Sequence, residues 1–149
     1  MLLVGIAGCA LLVGCSESTS TSTEPPPADS GGQSPIPGST WLVTSNALSA
    51  EGITNLLISF DPNNFDVVQV RYTFGGTGYD YGPSEVTGAA ASFADGRSIS
   101  VNAEWNTSVF EWEGTVTSSQ AESVGFVAVF IEEGGSTAEV AGNGRMTKQ

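Results

Sequence analysis

Four stretches of this chain alternate apolar and polar residues with a period of two rather than 3.6, which selects strands over helices. In "SISVNAEW" (98–105), Ile99, Val101, Ala103 and Trp105 point one way, and Ser98, Ser100, Asn102 and Glu104 the other. In "VFEWEGTVT" (109–117), Phe110, Trp112, Gly114 and Val116 share a face opposite Glu111, Glu113, Thr115 and Thr117. "VVQVRYTF" (67–74) aligns Val68, Val70, Tyr72 and Phe74, and "NLLISF" (55–60) aligns Leu56, Ile58 and Phe60. "VGFVAVFI" (124–131) is apolar on both faces, so it reads as a central strand or one whose outer face is covered.

Turn signals punctuate these runs. Asp95-Gly96 is the strongest hairpin mark, and "WNTS", "SSQAE", "EEGG" and "GNG" separate the later strands. The pattern predicts an all-β domain, an antiparallel meander of about eight or nine strands. Such a sheet hides its edges as a small closed barrel or a β-sandwich. One short helical turn is expected around "NALSAEG" (46–52). The inward set includes Trp105, Phe110, Trp112, Phe126 and Phe130, bulky enough to fill an interior rather than line a pocket.

The strands occupy only residues 39–149. Before them, residues 2–14 form an apolar run that is shorter than the roughly 20 residues of a bilayer-spanning helix and matches the apolar region of a signal peptide. Residues 16–38, "SESTSTSTEPPPADSGGQSPIPG", contain almost nothing to bury and read as a disordered tether. The division is therefore a signal peptide at 1–14, a linker at 15–38 that begins with Cys15, and a β domain at 39–149. No Lys or Arg precedes the apolar run, a departure from ordinary export signals.

Leu12-Val13-Gly14-Cys15 resembles the lipobox of bacterial lipoproteins, and Ile6-Ala7-Gly8-Cys9 is a weaker match. The resemblance implies cleavage before Cys15 and a covalent lipid on its thiol, with no other cofactor. It also implies a membrane partner reached through that anchor and a cell-envelope address, the outer membrane where the host has two. Ser16 stands where an aspartate retains lipoproteins of Gram-negative type at the inner membrane. The β domain, in outline over 38–148, is similar to lipocalin-like (calycin) barrels. Gly38 and Trp41 on the first strand and Arg145 on the last carry that similarity, although the family spacing is Gly-x-Trp and here it is Gly-x-x-Trp. It implies that Arg145 packs across the Trp41 indole.

Composition removes several functions. The 149 residues include 16 acidic and 4 basic side chains and no histidine, for a net charge of −12. Nucleic acid is excluded as a partner by that balance, since phosphate binding needs clustered Lys and Arg. Without histidine or a free thiol the usual nucleophile–base pairs and tetrahedral zinc sites are missing. Only paired carboxylates such as Glu111 and Glu113 remain, and their outward face reads as solvated, so no enzyme is expected. Asp61, Asn63, Asn64 and Asp66 in "FDPNNFD" make an oxygen-rich loop suited to calcium, although the same residues are ordinary turn formers and the turn reading is preferred. Residues 75–85, "GGTGYDYGPSE", read as a long glycine-rich loop in which Tyr79, Asp80 and Tyr81 form a candidate grip for a sugar or small polar ligand, although a mobile loop with incidental tyrosines is the preferred reading. The expected function is a membrane-anchored envelope lipoprotein displaying a non-catalytic binding or structural module, its partner a small molecule or an envelope protein. The alternative is a lipocalin-like carrier of a small apolar ligand.

Overall fold

The period-two stretches become nine antiparallel strands in the computed structural model, which describes residues 36–92 and 97–149. In chain order they are β1 (Thr40–Thr44), β2 (Ile53–Phe60), β3 (Val67–Phe74), β4 (Thr77–Tyr81), β5 (Val86–Ser92), β6 (Ser98–Trp105), β7 (Ser108–Val116), β8 (Glu122–Glu133) and β9 (Ser136–Lys148). A single helix, α1 (Asn46–Ala50), follows β1 where the short helical turn is expected. Ser45 caps it, its hydroxyl accepting from the Ala47 N–H at 3.2 Å. The apolar and thiol-bearing segment around Cys9 and Cys15, the tether as far as residue 35 and the Asp95-Gly96 turn lie outside the described residues. Ile36, assigned to the linker by composition, is fully buried.

The strands form one sheet in the order β4-β3-β2-β1-β9-β8-β7-β6-β5, so the first and last strands of the meander pair with each other. The seam between the sheet's ends is drawn together at the start of β3. There the Ala90 N–H donates to the Phe65 carbonyl at 2.7 Å, and Asp66 bridges Ala89. The result is a nearly closed barrel rather than a sandwich, and few strand edges are left unpaired.

Alternation decides what enters the barrel. Val127, Val129 and Ile131 of β8 are buried, in register with Trp112 and Phe110 of β7 and Val140 and Ala138 of β9. Phe126 and Phe130, assigned inward by their bulk, stand on the opposite face of β8, and Phe126 is 49% exposed. "VGFVAVFI" is thus a central strand whose outer face is uncovered.

One interior position sets the curvature. Gly114, Gly125 and Gly144 face one another across β7, β8 and β9, and the Trp112 ring lies over the row. A methyl group on Gly114 would sit 2.6 Å from the indole nitrogen, and one on Gly144 would sit 3.3 Å from the ring's far edge. At Gly125 it would lie 2.1 Å from the Glu113 carbonyl oxygen, because the strands are coiled tightly there. Only glycine leaves room for both the coil and the indole.

Gly125→Ala is therefore expected to destabilise the full-length chain by about 1–3 kcal/mol or more through overpacking. Gly78→Ala, at a site with nothing within 4 Å, should stay within about 0.5 kcal/mol of wild type, as surface changes do. Urea denaturation followed by tryptophan fluorescence measures both.

Candidate functional site

The end of the barrel where β6 and β8 finish collects the only buried carboxylate among the described residues. Glu133 is 7% exposed. It extends the inward series of Val127, Val129 and Ile131 to the last position before the turn. That turn, Gly134-Gly135, has φ values of 57° and 83°, which suit the tight hairpin turns that match strand twist. Trp105 ends β6 in the same way, just before Asn106 at φ 50°.

The opposite wall comes from β3 and β4. Gly75-Gly76, at φ 56° and 85°, joins these strands as a second tight hairpin. The stretch 75–85 is therefore not the long glycine-rich loop expected of it. Thr77–Tyr81 pairs with β3, and alternation sends Tyr79 and Tyr81 inward and Asp80 outward. Asp80 accepts from Gln69 at 2.7 Å and pairs with Arg71 at 3.2 Å on the surface. The expected Tyr–Asp–Tyr grip is thereby split, with its two tyrosines delivered to the barrel end.

Four aromatic rings pack there. Tyr72 stacks on Tyr79 with centroids 5.3 Å apart and on Tyr81 at 6.3 Å, and Trp105 tilts against Tyr72 at 5.7 Å. The hydroxyls converge on the carboxylate. Tyr72 and Tyr81 each donate to Glu133 Oε1 at 2.5 Å. The Trp105 Nε1–H donates to the Tyr72 oxygen at 3.2 Å. Both tyrosine bonds fall on one oxygen, and Oε2 has no protein donor among the described residues. Burial, followed by the bond to Glu133, pushes the Tyr81 hydroxyl up to about 12 and that of Tyr72 further still.

Glu133 and its partners Tyr72 and Trp105 were not singled out as site residues from sequence. The signal was present in "VFIEEGG", where the inward alternation places an acid rather than an apolar residue last. The other expected constellations separate differently. Asp61 and Asn64 turn their side-chain oxygens onto the N–H groups of Asn63 and Asp66, at 2.7 and 2.8 Å, as local turn formers do. Among the described residues no group of three or more His, Cys, Asp or Glu is placed to hold a metal. The Trp41–Arg145 contact is not made. The register pairs Trp41 with Lys148 and Arg145 with Thr44, an odd offset that puts them on opposite faces. Trp41 is fully buried and donates its Nε1–H to Ser39 at 2.6 Å, while Arg145 lies outside against Glu122.

The class these features define is a small, nearly closed β-barrel with an acidic, aromatic end. No family model and no curated protein sequence matches the chain. Solved structures align with it. The bradavidin2–biotin complex is 15% identical, covering 76% of this chain and 97% of that one, with a TM-score of 0.40. The rhizavidin–biotin complex is 20% identical, covering 75% and 91%, at 0.39, and apo shwanavidin is 16% identical, covering 78% and 98%, at 0.40.

These alignments correct the identifications made from short motifs. Two of these aligned structures are biotin complexes and none is named as a lipocalin, and the Trp41–Arg145 contact that the calycin resemblance implies is not made, which corrects that identification. The bacterial-lipoprotein identification is corrected on the same finding. With it go the membrane partner, the envelope-protein partner and the cell-envelope, outer-membrane address. Cys15, on which it rested, lies outside the described residues. No helix among the described residues is long and apolar enough to cross a membrane.

The tyrosine shifts predict a pH response. A hydroxyl raised above its unfolded value of about 10 adds stability that is complete below that value. It is lost as pH rises through the folded value, here between about 10 and 12 for Tyr81. Thermal melts across that window should fall steeply in the wild type and less steeply in Tyr81→Phe. Identical slopes would show that ionisation of Tyr81 is not the cause of the loss.

Proposed function

We propose that the protein is a non-catalytic binding module that holds a small ligand at the Glu133 end of its barrel. The observation that carries this reading is a buried carboxylate walled by aromatic faces, with both tyrosine hydroxyls on one oxygen and the other oxygen without a protein donor. A buried acceptor left unmatched is costly, and natural structures seldom keep one without a use. The complementary ligand presents N–H donors on a compact head with flat or apolar flanks: the donors satisfy Oε2 while the flanks stack on Tyr72, Tyr81 and Trp105.

Entry follows from the topology. β4 is an end strand of the sheet, hydrogen-bonded to β3 alone, and it carries Tyr79 and Tyr81, which cover the site. Its displacement opens one ladder and leaves the rest of the barrel intact. The deeper interior is occupied by Trp41 and Trp112, both fully buried or nearly so, so the ligand seats at the end and not along the axis.

Biotin has a cyclic urea head of this kind and is the ligand in two of the aligned complexes, which makes it the first probe. Titration calorimetry of the full-length chain with biotin is expected to show saturable binding. Glu133→Gln should weaken it at least tenfold, and Tyr81→Phe severalfold. Binding that neither substitution alters would overturn the site. So would the absence of both biotin binding and any co-purifying small molecule in native mass spectrometry.

A further inference from the structure

The outer face of β5 to β9 has a feature that the barrel end does not use. Along β8, Val124, Phe126, Ala128 and Phe130 form an outward apolar ridge, with Val124 45% and Phe126 49% exposed. A groove of about 560 Å³ runs on one side of it, floored by Ala89, Ala91 and Ala128 and walled by Phe126, Glu111 and Glu113. A second, of about 200 Å³, straddles β8 beside Phe130, from Val109 of β7 to Ala141 of β9, with Glu139 in its lining. Contiguous exposed apolar surface of this sort marks an interaction site.

The charges around the ridge decide what fits it. Glu104, Glu111, Glu113, Glu132 and Glu139 all stand on this outer face, and none makes an ion pair among the described residues. Arg145, the cation on the outward side of β9, is already held by Glu122. A second copy of the chain would bring this acidic rim against its own like, and the whole chain carries −12. Like charges placed opposite each other across an interface are repelled, and opposite ones steer association.

We infer that this face docks a basic, amphipathic segment of another protein, bound in extended form along β8. From Val124 to Phe130 the ridge is about 20 Å long at the rise of a strand. In an extended segment alternate side chains point the same way. Apolar side chains on one side then fill the two grooves, and flanking Lys or Arg reach the glutamates. The contact is independent of the Glu133 end.

The test uses the full-length chain and a fluorescent synthetic peptide that alternates lysine and valine, read by anisotropy. Saturable binding is expected, weakening as salt rises. A peptide of equal charge that alternates lysine and serine should bind at least tenfold more weakly. Phe126→Ser should cost at least tenfold, and the Glu111→Gln, Glu113→Gln pair severalfold with a flatter salt dependence. All three positions are exposed, and matching melts would show that the variants fold. Equal affinity for the two peptides overturns the proposal. So does binding indifferent to Phe126, or a dimer in sedimentation velocity that Phe126→Ser abolishes, which would assign the face to a second copy.

Discussion

Every indole placed inside a barrel brings one N–H that must find an acceptor there. This barrel buries Trp41, Trp105 and Trp112, and their three N–H groups organise its interior. Trp41 donates to Ser39, itself tied to the Ile36 carbonyl, and Trp112 donates to Ser123 at 3.3 Å. Each of these acceptors is a buried serine, Ser39 two residues before Trp41 and Ser123 on the strand next to that of Trp112. Trp105 is matched differently, through the Tyr72 hydroxyl, which then needs an acceptor of its own. Glu133 fills that need, so the third indole draws a carboxylate into the barrel.

The site follows from that requirement. A buried carboxylate is tolerated only when its oxygens are matched. The cluster supplies two tyrosine hydroxyls and directs both to the same oxygen. The other oxygen has no protein donor among the described residues, and the binding reading proposed above rests on it. The same chain of bonds explains the placement of β4. Its inward Tyr81 is the second donor, and Tyr79 packs on the ring of the first. A strand paired on one side only is thus held by the chemistry it covers.

Much of this was legible in the sequence, and the rest was hidden for identifiable reasons. Strict alternation in 98–105 and 109–117 revealed strands and faces together, because one face is apolar and the other polar. Alternation did not decide β8, where both faces are apolar, and bulk put Phe126 and Phe130 on the wrong side. Gly75-Gly76 was read as part of a loop, although two glycines followed by alternating residues also describe a tight hairpin. That reading kept Tyr79 and Tyr81 among the candidates without revealing their inward phase, and it kept Asp80 with them. Trp41 and Arg145 were joined by family outline alone, and an odd offset in the β1–β9 register puts them on opposite faces. Glu133 was invisible for want of a phase: only once β8 is known to run on to the turn does its last inward position become an acid's.

Trp105, Tyr72 and Glu133 act as one buried unit. A double-mutant cycle tests it, with Tyr72→Phe, Glu133→Gln and the combined variant compared by urea denaturation. Either single change breaks the same bond, so the two losses should sum to more than the double variant shows, by a coupling of about 0.5–3 kcal/mol. Losses that add within error would show that the carboxylate and the hydroxyl do not depend on each other, and would contradict the account.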